Sequence, residues 1–223
     1  MELQLAQVVI GSQNYGLADE HSDTDTFVFT APATLESLVN DAPKNDQVVS
    51  EGGITTYKDF RLLAQILRKT SFTSTEYILG TNVLAQRYPW SMLVENRKLI
   101  ALGDPQRLVT STAGIVHNML RNFEHTQLNK YIVQVLLVTT VVPRIIEGDD
   151  PQDAYRALAH LYFPNRHEKS THVAEDKAYA ESLLRTFLAK YDNKTYTNHK
   201  EEVNELLRAW TTEVARIVIS EEH

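Results

Sequence analysis

Residues 11–25, GSQNYGLADEHSDTD, contain the side chains whose types and spacing can do chemistry. Asp23 and Asp25 stand two positions apart, and the segment 24–30 (TDTFVFT) alternates polar and apolar residues, as strands do. On a strand, side chains two positions apart point to the same face and lie about 6 to 7 Å apart. Two carboxylates in that arrangement can converge on a hard cation, and Mg²⁺ prefers such oxygen ligands.

Gly11 and Ser12 begin the same stretch, directly after the apolar segment 5–10. A glycine-serine pair at this place suits a tight turn that leads into a helix N-terminus. Backbone N–H groups and a hydroxyl in such a turn bind phosphate. The sequence therefore predicts a site for a phosphate-bearing ligand together with a divalent cation, because the cation offsets the negative charge of both the carboxylates and the phosphate.

Strands and helices must position these residues. Segments 5–10, 24–30 and 47–57 are predicted as strands, with about two helical turns over 12–18 and a short helix at 35–39. After Tyr57 the period at which apolar residues recur changes from two residues to 3.6 residues. The sequence therefore predicts that everything after this point is helical. The predicted helices cover 59–69, 74–79, 90–101, 106–125, 128–146, 151–162, 174–190 and 199–219. We expect an α+β protein with a small mixed β-sheet unit at residues 1–85 and a larger all-helical region at residues 86–223.

The pattern G-S-x-x-x-G, followed by S-D-x-D and an apolar strand, resembles the DNA polymerase β superfamily of nucleotidyltransferases. The resemblance is to its small bacterial and phage branch and extends over residues 1–80. The matching residues are Gly11, Ser12, Tyr15, Gly16, Leu17, Ser22, Asp23 and Asp25.

The resemblance implies that the chain moves an NMP from an NTP to an acceptor hydroxyl, with release of pyrophosphate. Asp23 and Asp25 would hold Mg²⁺ (or Mn²⁺) in a two-metal mechanism, and Gly11 with Ser12 would bind the triphosphate. Tyr15 is a candidate to stack on the base, although an aromatic residue packed between helix and sheet is an equal alternative. The acceptor stays open: a protein, an RNA end or a small molecule.

Members of this family usually carry a third carboxylate on a later strand, and here Gly53 stands at the matching place. Glu51, two positions earlier, would face the same side of a regular strand and is the natural substitute. Asp59 is a further candidate, although it suits the first turn of a helix better. If no carboxylate takes this place, the alternative is a degenerate nucleotidyltransferase fold that binds a nucleotide or a partner without turnover.

Basic residues on the helix after the third strand are candidates for phosphate contacts. Arg61 and Arg68 are seven positions apart and fall near one face of that helix, although a solvated face is the alternative. Glu76 lies close to where related proteins carry a glutamate, and a helix-start acid explains it equally well.

The charge distribution limits the partners. Residues 1–60 hold ten of the 29 carboxylates but only two of the 22 lysines and arginines, a net charge of −8. Such a field disfavours non-specific binding to duplex DNA, which needs dense basic surface. The absence of cysteine excludes disulfides and thiolate metal sites. No apolar stretch reaches the ~20 residues of a membrane span, so we expect a soluble cytoplasmic protein without a membrane partner.

Overall fold

The computed structural model describes residues 2–14, 16–20, 22–81, 83–158, 163 and 165–222. Over this part of the chain the protein is mixed α+β, with an N-terminal sheet followed by helices, and the expected fold class is confirmed. The strands are β1 (Leu3–Val9), β2 (Thr26–Ala31), β3 (Asn45–Ser50), β4 (Gly53–Asp59) and β5 (Val83–Gln86). The helices are α1 (Leu35–Asn40), α2 (Phe60–Arg68), α3 (Phe72–Glu76), α4 (Trp90–Glu95), α5 (Arg97–Ala101), α6 (Pro105–Thr126), α7 (Lys130–Ile146), α8 (Pro151–Arg156), α9 (Val173–Tyr191) and α10 (Lys200–Glu221).

The described strands form one sheet in the order β3-β4-β2-β1-β5. β1 pairs antiparallel with β2 and with β5, and β3 pairs antiparallel with β4. β2 and β4 are parallel, which makes the sheet mixed. The register of β1 and β2 ends at Val9 opposite Thr26. The residues that follow Val9 and precede Thr26 therefore meet at one end of the sheet.

Three sequence-based expectations about the elements are wrong. The predicted strand 47–57 is two strands, β3 and β4, joined by a turn at Glu51 and Gly52. In place of the two helical turns predicted over 12–18, the structure has one 3-10 turn at Gly11–Gln13. The region after Tyr57 is not wholly helical, because the four residues of β5 complete the sheet beside β1.

Among the residues that the structure describes, two clusters of buried apolar side chains hold the elements together. The first joins the sheet to α2, α4, α5 and α10 around Phe29, Leu63, Trp90 and Trp210. The second cluster joins α3 and α6–α9, and it includes the six buried residues of α7. Helix α10 packs in the first cluster, although it follows the helices of the second cluster in the sequence. No single position in the sequence therefore separates the two clusters. The division into residues 1–85 and 86–223 stays a prediction.

Candidate functional site

The Gly-Ser turn and the Asp-x-Asp segment meet where β1 ends and β2 begins. The Ile10 N–H donates to the Asp25 carbonyl oxygen at 2.9 Å and continues the antiparallel pairing by one step. Gly11 then turns the chain with a φ of +72°, a conformation that glycine adopts without steric cost. The local fold therefore brings Ser12 and Asp25 to one place.

Asp25 is held from two sides. Its own carbonyl accepts from Ile10, and its Oδ1 accepts the Ile54 N–H at 3.1 Å from β4. Its side chain is half-buried, whereas Asp23 is exposed. Both aspartates lie just before β2 rather than inside a strand, because β2 begins at Thr26.

A cavity of about 420 Å³ opens beside these residues, between the sheet unit and helices α6 and α7. This volume lies in the usual range of small-molecule sites, roughly 300 to 1,000 Å³. Of the predicted site residues that the structure describes, four line it: Gly11, Ser12, Asp23 and Asp25. The other lining residues are Ile10, Leu17, Ser22, Phe72, Thr73, Glu76, Ile115, Met119, Lys130, Val133, Gln134, Leu137, Val138, Arg166 and His167.

Glu76 lies in the wall of this cavity and is buried, with 9% of its surface exposed. Burial raises the pKa of Glu76 to about 8, although a hydrogen bond from the Gly11 backbone N–H opposes the rise. Its Oε1 has no hydrogen-bond partner among the described residues. Glu76 is the last residue of α3, so its interpretation as a helix-start acid is wrong.

The Gly11 N–H is therefore already used by Glu76 and is not a free donor for phosphate. The Asn14 N–H is also used, since it donates to the Gly11 carbonyl at 2.9 Å. Ser12, with its hydroxyl and backbone N–H, is the member of the turn best placed to bind an anion.

Cationic side chains reach the cavity from the helical region. Lys130 is the first residue of α7 and is half-buried in the wall. Arg166, only 7% exposed, pairs with Asp19 at 2.9 Å and also donates to the Ser22 hydroxyl. The Asp19 carboxylate thus offsets the charge of Arg166. The two contacts also connect the segment before Asp23 to the opposite wall of the cavity.

Of the other predicted site residues, those that the structure describes do not line this cavity. Glu51 is exposed in the turn between β3 and β4, because the chain reverses there instead of continuing one regular strand. Arg61 donates to both carboxylate oxygens of Asp59, at 2.9 and 2.7 Å, and to the carbonyls of Leu38 and Asp41. Its donors hold α1 and the loop that follows it to α2 instead of facing the cavity.

Arg68 and Asp59 lie elsewhere on the protein. Arg68 is exposed at the end of α2, outside the cavity lining. Asp59 caps α2, since its Oδ1 accepts the Arg61 N–H at 2.8 Å. Tyr15 lies outside the described residues.

Gly53 stands where the family pattern would place the third acid, and no side chain fits there. A β-carbon on Gly53 would lie 2.3 Å from the Thr24 carbonyl oxygen, and the φ of Gly53 is +138°. Thr24 is held in this position because its N–H donates to the Gly52 carbonyl at 2.9 Å. An acid at position 53 is therefore incompatible with this backbone.

The donor set suits Mg²⁺ only in part. Asp23 and Asp25 supply carboxylate oxygens at one cavity, and Mg²⁺ is commonly bound by one or two carboxylates completed by waters and substrate phosphates. No group of three or more His, Asp or Glu side chains within the described ranges is arranged to hold a metal ion alone. The residues therefore fit a cation that a phosphate ligand helps to bind.

The sequence-based predictions do not include the far wall of the cavity, which α6, α7 and residues 166–167 supply. Lys130, Gln134 and Arg166 have no local pattern that marks them, since only the packing of the helices brings them near residues 11–25. Among the described residues, no helix has both the length and the apolar character needed to cross a bilayer.

Comparison with models of known protein families gives no match for this chain, and no curated protein is significantly similar to it. What the protein does must therefore be inferred from the chemistry of its cavity.

Proposed function

We propose that this protein is a nucleotidyltransferase that moves an NMP from an NTP to an acceptor hydroxyl. The observation that carries the proposal is the convergence of Ser12, Asp23 and Asp25 on one ligand-sized cavity. This combination offers oxygen ligands for a cation beside donors for a phosphate, as transfer from a nucleoside triphosphate requires.

The protein's own residues have distinct tasks in this reaction. Ser12 hydrogen-bonds a phosphate oxygen, and Lys130 adds positive charge from the opposite wall. Asp23 and Asp25 would hold Mg²⁺, which when bound neutralises the triphosphate and so lowers the barrier to attack at phosphorus. The hydrogen bond from Ile54 to Asp25 keeps that carboxylate in one orientation.

The apolar part of the cavity contacts the uncharged portion of the ligands. Ile115 and Met119 from α6 face Val133 and Leu137 from α7, with the Gln134 amide among them. Such a wall suits a nucleobase or the apolar part of an acceptor, because polar contacts are few and directional.

A panel of NTPs labelled at the α-phosphate, incubated with Mg²⁺ or Mn²⁺ and candidate acceptors, tests the proposal. We expect label transfer by the parent chain and a loss of at least about 100-fold in Asp23→Ala and Asp25→Ala, because each removes a cation ligand. Glu36→Ala, an exposed acid in the first turn of α1, is the matched control. Label transfer at the parental rate in both aspartate variants would contradict the proposal.

The second candidate is a nucleotide-binding module without turnover, and Gly53 is the observation that favours it. The backbone there excludes the usual third acid. In that case an NTP with Mg²⁺ raises the melting temperature of the parent, and no labelled product forms with any acceptor.

A further inference from the structure

Glu76 is a buried carboxyl group that the proposed function leaves without a task. It shares the cavity wall with Ser12, Asp23 and Asp25, and one of its oxygens has no hydrogen-bond partner in the described part of the chain. An unpaired buried oxygen costs stability, because it has lost its hydrogen bonds to water. A polar group kept in a cavity wall at this cost is a candidate for a functional role.

The usual position for the third acid is closed in this protein, since Gly53 cannot carry a side chain. Glu51 does not reach the cavity, and Asp59 is engaged by Arg61. Of the carboxylates that line the cavity, Asp23 and Asp25 are required as cation ligands. Glu76 is the one carboxyl in the described lining that remains available for proton transfer.

We propose that the Glu76 carboxylate takes the proton of the acceptor hydroxyl during nucleotidyl transfer, an inference that rests on the proposed function. The acceptor oxygen forms a bond to the α-phosphorus, and the bond from that phosphorus to the pyrophosphate oxygen breaks. The electron pair of the broken bond leaves with pyrophosphate, and the acceptor proton moves to Glu76. No oxidant or reductant is involved.

The hydrogen bond from Gly11 fixes the position of this carboxyl relative to the phosphate-binding turn. A base acts only within hydrogen-bond reach of the proton that it takes, so this placement beside Ser12 matters. Other ionisable groups share the cavity or pack around Glu76, and any pH profile includes them: Asp23, Asp25, Tyr77, Lys130, Tyr155, Arg166 and His167.

The variant Glu76→Gln separates proton transfer from structure, because the amide oxygen of glutamine can still accept the Gly11 N–H. We expect its kcat to fall by about 10² to 10⁴, the usual contribution of a general base. Binding of an NTP with Mg²⁺, measured by equilibrium dialysis, stays within twofold of the parent. Glu205→Gln, an exposed acid on α10, serves as the control and keeps the parental rate.

The pH profile of the parent is an independent readout that needs no variant. The rate rises with pH around 8, where Glu76 loses its proton, and this rise is absent from the residual activity of Glu76→Gln. A flat parental profile across this range, or parental rates in the variant, overturns the role of Glu76 and leaves the proposed function standing. Loss of NTP binding in Glu76→Gln also overturns it, since the residue then only positions the turn. A parent that transfers no label overturns both.

Discussion

At Gly53 the main chain of β4 passes so close to Thr24 that a single methyl group has no room. Gly53→Ala would place its β-carbon 2.3 Å from the Thr24 carbonyl oxygen at a φ of +138°. We expect the free energy of unfolding to fall by about 2 to 3 kcal/mol, because strain and overpacking act together. Urea denaturation measures the change.

Gly52→Ala is the matched control, since a β-carbon there meets no atom within 4 Å. It should change the free energy of unfolding by no more than about 0.5 kcal/mol. Equal effects of the two substitutions would show that β4 does not approach Thr24 as described.

Glu76 makes stability depend on pH. Its pKa rises from the ordinary 4.5 to about 8 in the folded protein because the carboxyl is buried. Between these values the folded state holds a proton that the unfolded chain has lost, so stability decreases as pH rises, by about 1.4 kcal/mol per pH unit. The melting temperature of the parent should fall more steeply from pH 5 to 8 than that of Glu76→Gln. Parallel curves would contradict the burial of an ionisable Glu76.

At the scale of elements, α10 belongs to the N-terminal core despite its place at the other end of the described chain. Trp210 is fully buried and meets Phe60 of α2 edge-on, with ring centroids 6.0 Å apart. Trp210→Ala should lower the free energy of unfolding by about 3 to 5 kcal/mol. Hydrogen exchange should show weaker protection of the α2 amides.

The exposed Ile219 on the same helix is the control for this prediction, and Ile219→Ala should change stability by no more than about 0.5 kcal/mol. If α2 keeps its full protection in Trp210→Ala, the two helices do not share one core.

The elements also show what the sequence can and cannot predict. β1, β2 and the long helices follow from their apolar periodicity, and the register of β1 and β2 alone brings Gly11 and Asp25 together. The hairpin of β3 and β4 was missed because its two-residue turn, Glu51 and Gly52, resembles a bulge within one strand. β5 has four residues, too few for a periodic pattern to distinguish it from its helical neighbours.

At the scale of the whole molecule, the cavity exists only because the helical region packs against the end of the sheet. The hydrogen bond from Arg166 to the Ser22 hydroxyl joins the two walls directly, and α7 supplies Lys130 and Gln134. These contacts join residues more than a hundred positions apart, so sequence patterns could not reveal them. The sheet end supplies the carboxylates and the turn, whereas the helices supply the apolar wall.

The position of the label in the substrate tests nucleotidyl transfer most directly. The parent chain is incubated with Mg²⁺ and candidate acceptors, using one NTP labelled at the α-phosphate and the same NTP labelled at the γ-phosphate. We predict that the α-label enters the acceptor and that the γ-label leaves in pyrophosphate. With Asp25→Ala, we expect neither labelled acceptor nor labelled pyrophosphate. Transfer of the γ-label to the acceptor, or α-label transfer that Asp25→Ala leaves unchanged, would contradict this account.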